Sequence, residues 1–394
     1  MQKKLIALAI AGAFVAPAAA LADSGNVTIY GVMDTSFDII DSGDGNTVTA
    51  SGARGTVTAQ GVRQNAVSGN SSRIGFKGSE DLGNGLAAVW QVETAINSDG
   101  GATTGWAGRN TFVGLSGKSW GTAILGRHDT PYKLATRSLD VFGDGIADNR
   151  SIMGGGVGTV ATAGVRGGAA GMAAASFDGR QSNVLAYISP TWNGFHAAVA
   201  YVTFENAIDI PNTAASNTQT QDHAWSLAGI YGNGPWFASL AYERHDIENT
   251  LNASGAEEHA WKLGVGYKAN NFRVGMAYET TDDNFGVGGA NALGHNAWYL
   301  GGGYTFGNNE VKLAYTHAND ADALTNSGAK QWAVGLDHNF SKRTKVYALY
   351  TKLDNDNNGM YTLSGGSTSA GLGNAIGGYG SDPSAWSFGI RHNF

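Results

Sequence analysis

Nine histidines are the first residues to test for catalysis: His128, His196, His223, His245, His259, His295, His317, His338 and His392. They stand singly. None sits in a His-Glu-x-x-His or Gly-x-Ser-x-Gly setting, so no zinc hydrolase or serine nucleophile is spelled out locally. The chain has no cysteine, which removes thiolate nucleophiles, disulfides and cysteine-held zinc or iron–sulfur centres. The run Asp354-Asn355-Asp356-Asn357-Asn358-Gly359 opens like a calcium loop, but positions 360–370 hold no acid to close it. Asn, Asp and Gly in such a run are ordinary turn chemistry. The glycines at 101 and 105 precede no Gly-Lys-Ser/Thr element and make no phosphate loop. No enzyme, metal or cofactor motif is present in these terms. What remains is fixed charge, and charges held on facing walls can select ions and orient dipoles.

Such walls must be built by the rest of the chain. Of 394 residues 59 are glycine and 6 are proline; 42% are hydrophobic and only 14% charged, with a net charge of −7. This is neither a disordered nor a collagen-like composition. The acidic balance argues against nucleic acid as a partner. Residues 1–22 read as a secretory signal: Lys3 and Lys4, an apolar run over 5–15, then Ala20-Leu21-Ala22 before Asp23. Beyond it no run of about 18 apolar residues could form a spanning helix. The domain reading is therefore a signal peptide over 1–22 and one barrel over 23–394.

Period two runs through that barrel segment. Trp386, Phe388, Ile390, His392 and Phe394 share one face, with Ser387, Gly389, Arg391 and Asn393 on the other. Trp261, Leu263, Val265 and Tyr267 alternate with Lys262, Gly264, Gly266 and Lys268 in the same way. Aromatics mark strand ends on the apolar face, as in the interfacial girdles of a membrane barrel. Short turns such as Gly232-Asn233-Gly234 alternate with long polar loops at 41–69, 205–221, 283–293 and 354–383. About sixteen strand candidates follow, an even number suited to a water-filled channel. The fold class is thus all-β: a 16-stranded antiparallel transmembrane β-barrel. Residues 129–179 hold no convincing strand, and a loop of that length is usually functional. Its acidic first half, with Asp140, Asp144 and Asp148, is expected to fold inward and narrow the lumen as the third long loop. By alternation Arg73 and Lys77 point inward, opposite Ile74, Phe76 and Gly78. Asp34 is inward by the same count. Arg109 opens a wall strand. Lys262, Lys268, Arg273, Lys312 and Arg391 extend a basic track.

Several segments carry a resemblance. Asn26-Val27-Thr28-Ile29-Tyr30-Gly31-Val32-Met33-Asp34 resembles the first strand of the Gram-negative trimeric general porins of the beta-proteobacterial type. So do Ser72-Arg73-Ile74-Gly75-Phe76-Lys77-Gly78-Ser79-Glu80-Asp81-Leu82-Gly83-Asn84-Gly85-Leu86, Gly126-Arg127 leading to Thr130-Pro131-Tyr132, Tyr187-Ile188-Ser189-Pro190, and the closing Gly389-Ile390-Arg391-His392-Asn393-Phe394. The matches run in family order over the whole mature chain. The Gly- and Ala-rich stretch 154–175 departs from the pattern, being longer than the resemblance implies for a constriction loop.

The resemblance implies a homotrimeric outer-membrane channel of a Gram-negative bacterium. It would pass ions and small hydrophilic solutes passively, with no cofactor and no catalysis. Its expected partners are outer-membrane lipid, lipopolysaccharide and the assembly machinery that reads the final Phe394. The resemblance also places Arg127 on the constriction wall, beside Arg73, Lys77, Arg109 and Asp34. The inward basic set points to anion preference. The competing readings are a substrate-specific channel, for which Tyr30, Tyr347 and Trp106 could line a path, and a plugged barrel acting as an adhesin through its outer loops. The face assignment carries a test: arginine at outward Ile390 should cost about 2–4 kcal/mol if that position lies near the midplane, whereas arginine at inward Gly389 should alter conductance more than stability.

Overall fold

The computed structural model describes residues 26–45, 47–49, 56–58, 61–98, 100, 105–154, 177–203, 223–247, 256–282, 294–359, 361–364 and 379–394. The expected signal at 1–22, the loops 205–221 and 283–293, and 155–175 of the Gly/Ala stretch lie outside the described residues. Among the described residues the strands are β1 (Asn26–Asp41), β2 (Thr47–Thr49), β3 (Thr56–Thr58), β4 (Arg63–Gly69), β5 (Arg73–Gly83), β6 (Leu86–Ala95), β7 (Thr111–Gly117), β8 (Gly121–Asp129), β9 (Arg180–Ile188), β10 (Phe195–Thr203), β11 (His223–Asn233), β12 (Trp236–Ile247), β13 (Ala256–Ala269), β14 (Phe272–Asp282), β15 (Asn296–Phe306), β16 (Asn309–Ala318), β17 (Ala329–Asn339), β18 (Thr344–Asn355) and β19 (Ser384–Asn393). One helix, α1 (Pro131–Thr136), and 3-10 turns at Arg137–Leu139 and Asn149–Ser151 lie between β8 and β9.

Every wall strand pairs antiparallel with its sequence neighbour, and β1 pairs with β19 from Val32↔Asn393 to Asp41↔Ser384. The ends are tied by Gly31 N–H to Phe394 O at 3.0 Å and Phe394 N–H to Gly31 O at 3.1 Å. Closure is what lipid demands, because an unpaired backbone edge has no water to bond. On its other side β1 pairs with β5 below and β4 above, so β4 and β5 are one stave broken at 70–72. Counting them as one gives a closed sixteen-stranded barrel. β4 falls inside the segment expected to be the loop 41–69. Its two faces, Arg63-Asn65-Val67 and Gln64-Ala66-Ser68, differ too little in polarity for alternation to reveal it.

The outward face is the apolar one: Leu240, Leu263, Met276, Leu300 and Leu313 stand exposed in mid-strand. Aromatic neighbours on adjacent strands, such as Trp236–Tyr267 near the turns and Tyr242–Trp261 and Tyr350–Trp386 near the loops, form belts at both ends. Tight turns use left-handed residues where the chain reverses, as at Asn193-Gly194 and Asn270.

The third long loop folds into the barrel. Thr130 Oγ1 accepts from Lys133 N–H at 3.4 Å and Pro131 starts α1. Tyr132, Ala135 and Leu139 pack on Ala228, Ile230, Phe237, Ala241 and Ala260. Val141, Phe142, Ile146, Ile152 and Met153 form a second cluster with Tyr299, Ala318, Ala333 and Leu349. The inner face of β13–β17 is small so that this loop can rest on it. A Cβ on Gly266 would lie 2.8 Å from Leu139 Cδ2, and one on Gly335 would lie 2.7 Å from Phe142 Cε1. Many inward glycines that read as polar lumen are therefore the bed of the loop.

Candidate functional site

Opposite that bed the inner wall is charged. Glu93 on β6 is the centre of one cluster. Its carboxylate accepts from Arg109 Nε at 2.5 Å and from Tyr30 OH at 2.9 Å, and Arg73 Nε stands 3.9 Å away. Tyr30 reaches Glu93 by lying flat over Gly75, where a Cβ would come within 2.3 Å of its ring. Lys77 Nζ is 5.2 Å from the Tyr30 ring centre. A second cluster sits at the barrel seam. Arg391 Nη1 meets Asp34 Oδ2 at 3.2 Å, and Tyr347 OH donates to Asp34 Oδ1 at 2.8 Å. Lys345 is the direct cross-strand partner of Arg391. That like-charged pair is tolerated because Asp34 holds one member and Asp337 holds the other, with Lys345 Nζ 2.7 Å from Asp337 Oδ2. Farther round, Arg273 Nε lies 2.6 Å from Glu310 Oε1, and Lys268 is exposed at the turn end beside it. The expected residues Arg73, Lys77, Arg109, Asp34, Arg273, Lys268 and Arg391 thus all stand on this inner wall.

In these wall pairs the cations are the outer members. The side chains of Arg73, Arg109, Arg391, Lys345 and Arg273 keep 17–31% of their surface exposed, whereas Glu93, Asp34 and Asp337 keep 3–8%. Glu310 at 17% and, from the loop, Asp144 at 22% are as exposed as the arginines. Over Glu93, Asp34 and Asp337 a solute in the lumen meets guanidinium and ammonium groups first.

Four expectations are corrected here. Lys262 and Lys312 are not track charges, because the loop covers both. Lys262 is buried between Asp178 at 2.8 Å and Glu279 at 2.9 Å, with its ammonium 4.2 Å from the Tyr132 ring centre. Lys312 is buried on Asp337 at 2.7 Å, beneath the Phe142 ring. Asp140 and Asp148 do not face the basic wall; they bond inside the loop. Asp140 accepts from Phe142 and Asn149 N–H, and Asp148 accepts from Asp144 and Arg150 N–H. Arg137 gathers the loop acids, with Asp144 at 2.6 Å and Asp148 at 2.7 Å, and Arg150 adds a second cation to Asp148. Only Asp144 reaches across, to Arg73 Nη1 at 3.5 Å. Arg127 does not join the wall cluster. Its ladder partner Thr111 is two residues from the pair Val113↔Leu125, and Leu125 is 59% exposed, so Arg127 stands on the outward side. It donates to Gly108 O at 3.0 Å and Ser182 Oγ at 2.6 Å. The expectation rests on the resemblance; alternation with Leu125 turns Arg127 outside, and the register shift beyond Gly126 falls on the β9 side of the strand. Arginine at Gly389 would also fail as a neutral reporter, since Tyr347 lies on that glycine with its ring 2.2 Å from a built Cβ.

The loop acids differ in protonation. Burial opposes the Asp144 charge, but Arg137 and Arg73 outweigh it and hold the carboxyl well below the usual range. Burial and then the Asp148 charge push Asp140 up to about 6, against Arg137. Asp148 stays low, because Arg137 and Arg150 overcome its burial.

The loop is pinned at both roots. Asp129 holds Lys133 at 2.8 Å and Arg180 at 3.1 Å, joining the entering and leaving limbs. Glu279 accepts from Tyr132 OH at 2.7 Å and Gly154 N–H at 2.8 Å. Residue-type reasoning missed Glu93, Lys345, Asp337, Arg137, Arg150 and Arg180. Lys345 carried no signal because β18 has mixed polarity on both faces around it. Trp106 stands exposed beside Phe76 and lines no path with Tyr30 or Tyr347.

The Gram-negative porin family profile matches residues 7–358. An outer membrane porin of Bordetella pertussis is 30% identical over 297 residues, covering 73% of this chain and 71% of its own. Outer membrane porin protein 32 of Delftia acidovorans is 29% identical over 399 residues, covering both chains fully. Among solved structures, an anion-selective porin from Comamonas acidovorans is 25% identical with a TM-score of 0.69, covering 94% of this chain and all of its own.

Proposed function

This chain belongs to the Gram-negative porin family and is an outer-membrane porin, and we propose that its pore prefers anions. The observation that carries the preference is the depth difference in the wall: solvated cations over buried carboxylates. The anion-selective relative from Comamonas acidovorans supports the same reading. The overall charge of −7 does not decide it, since salt screens distant loop acids within about 8 Å while the constriction charges act at contact.

In this reading Arg73, Lys77, Arg109, Arg391, Lys345 and Arg273 form the basic side of the lumen, and the loop 129–179 is the constriction element. The loop sets the aperture, and its acids serve its own fold. Solutes pass by diffusion and no bond is made or broken, so the protein works as a channel and not as an enzyme. The family supports a homotrimer in outer-membrane lipid and lipopolysaccharide. The segment 1–22 serves export, and Phe394 serves recognition by the assembly machinery.

Single-channel current through the purified protein in a planar bilayer, under a salt gradient, tests this. Ohmic steps with a reversal potential of anion sign are expected, closing in groups of three. A cation-signed potential would overturn the preference. A folded, inserted barrel without conductance would overturn the pore.

A further inference from the structure

One lumen-face carboxylate belongs to none of these clusters. Asp38 follows Asp34 and Ser36 along the inner face of β1. It is fully buried, and neither of its carboxylate oxygens meets a hydrogen-bond donor among the described residues. On the neighbouring residues of the same face Ser68 Oγ and Asn70 Oδ1 are also buried without partners among the described residues. The strand registers explain why they gather. Ser36 pairs with Ser68 and Asp38 with Ala66, so Ser68 is the diagonal neighbour of Asp38. Buried Ser387 stands directly across from Asp38 on β19. Asn70 donates through Nδ2 to Ser36 Oγ at 2.8 Å and Tyr347 OH at 3.0 Å, which turns its carbonyl oxygen away from both.

The neighbouring acid cannot share the load. The Asp34 carboxylate is already engaged by Arg391, Tyr347 and the Asn70 amide N–H at 3.5 Å. Beyond Asp38 the same face becomes apolar: Ile40 packs with Val141, Phe142 and Ile146 of the loop. A buried carboxylate in such a place needs a counter-charge. Every orphaned atom here is an oxygen: a carboxylate, an amide carbonyl and a hydroxyl. Among the described residues no three His, Cys, Asp or Glu side chains are placed to hold a metal ion, so a transition-metal set is not offered. We propose that Asp38, Ser68 and Asn70, with Ser387, bind one hard cation of the calcium type at the barrel seam. Carboxylate and amide carbonyl oxygens suit calcium, and a loosely shaped cage suits it better than magnesium, which demands strict octahedral geometry. The ion would join β1, β4 and β19 where the barrel closes. The binding does not depend on the anion preference of the pore.

Equilibrium dialysis with radioactive calcium tests this on protein refolded without lipopolysaccharide and cleared with chelator. Wild type is expected to bind one calcium per chain. Asp38→Asn should weaken binding at least tenfold and Ser68→Ala several-fold, while Asp81→Asn at the exposed end of β5 should change nothing. Heat-modifiable gel migration reports folding; if Asp38→Asn fails to fold, Ser68→Ala carries the test. Equal binding by wild type and the folded variants, or no binding at all, would overturn the site. So would a carboxylic-acid infrared band present in wild type and absent in Asp38→Asn, which would assign a proton in place of the cation.

Discussion

Replacing Lys262 with methionine should release the inward-folded loop while leaving the barrel closed. The side chain is buried, and its ammonium is the shared cation of Asp178 on the returning limb and Glu279 on β14. Methionine fills a similar volume but leaves two buried carboxylates facing each other. Removing one partner of a buried ion pair costs about 3–5 kcal/mol, since the remaining charge stays desolvated. The β13 ladder needs only backbone, so the penalty falls on loop docking. At about 1.4 kcal/mol per decade, the docked-to-undocked ratio should drop by roughly two to three and a half orders of magnitude. Single-channel recording reads this as flicker between conductance levels and a larger mean current, with thermal unfolding of the barrel little changed. Combining Lys262→Met with Asp178→Asn and Glu279→Gln removes the stranded charges and should restore most of the quiet current. Equal noise in wild type and the single variant would refute the anchoring role. A triple variant no quieter than the single one would refute the electrostatic account of it.

Neutralising Lys345 and Arg391 together as glutamines should move the reversal potential toward cations, because Asp34 and Asp337 then lose their solvated partners; an unchanged potential would put the selectivity elsewhere. Asp140 is pushed up to about 6, above the roughly 3.9 of a free aspartate, so its protonation favours the folded loop: that contribution is present at low pH and lost as pH rises through about 6. Channel noise should therefore fall between pH 7.5 and 5 in wild type and stay flat in Asp140→Asn. Arginine at outward, mid-strand Leu263 should cost about 2–4 kcal/mol in lipid, whereas at Ile390, four residues from the chain end, it should cost about 0–1 kcal/mol; refolding titrations that rank the two sites the other way would undo the placement of the barrel in the bilayer.

The outward face was legible because its rule is local. Leu263, Val265 and Tyr267 repeat every second residue, and lipid permits no exception to their character. The inward loop was legible from its length and its lack of period. The inner face followed a different logic. Gly264, Gly266 and Lys262 share a face with Lys268, yet three of them lie under the loop and one stands in water. What separates them is Leu139 and Tyr132, more than a hundred residues away, and no single-strand pattern carries that information. Arg127 failed for a different reason: its wall position came from the resemblance, whereas Leu125, two residues back on the same strand, faces outward. The acids Asp140 and Asp148 were read as wall charges, but they are consumed in folding the loop. The sign of the pore is thus not the sum of its inward charges. It depends on which member of each pair reaches water, and in this barrel Glu93, Asp34 and Asp337 lie behind the cations that they hold.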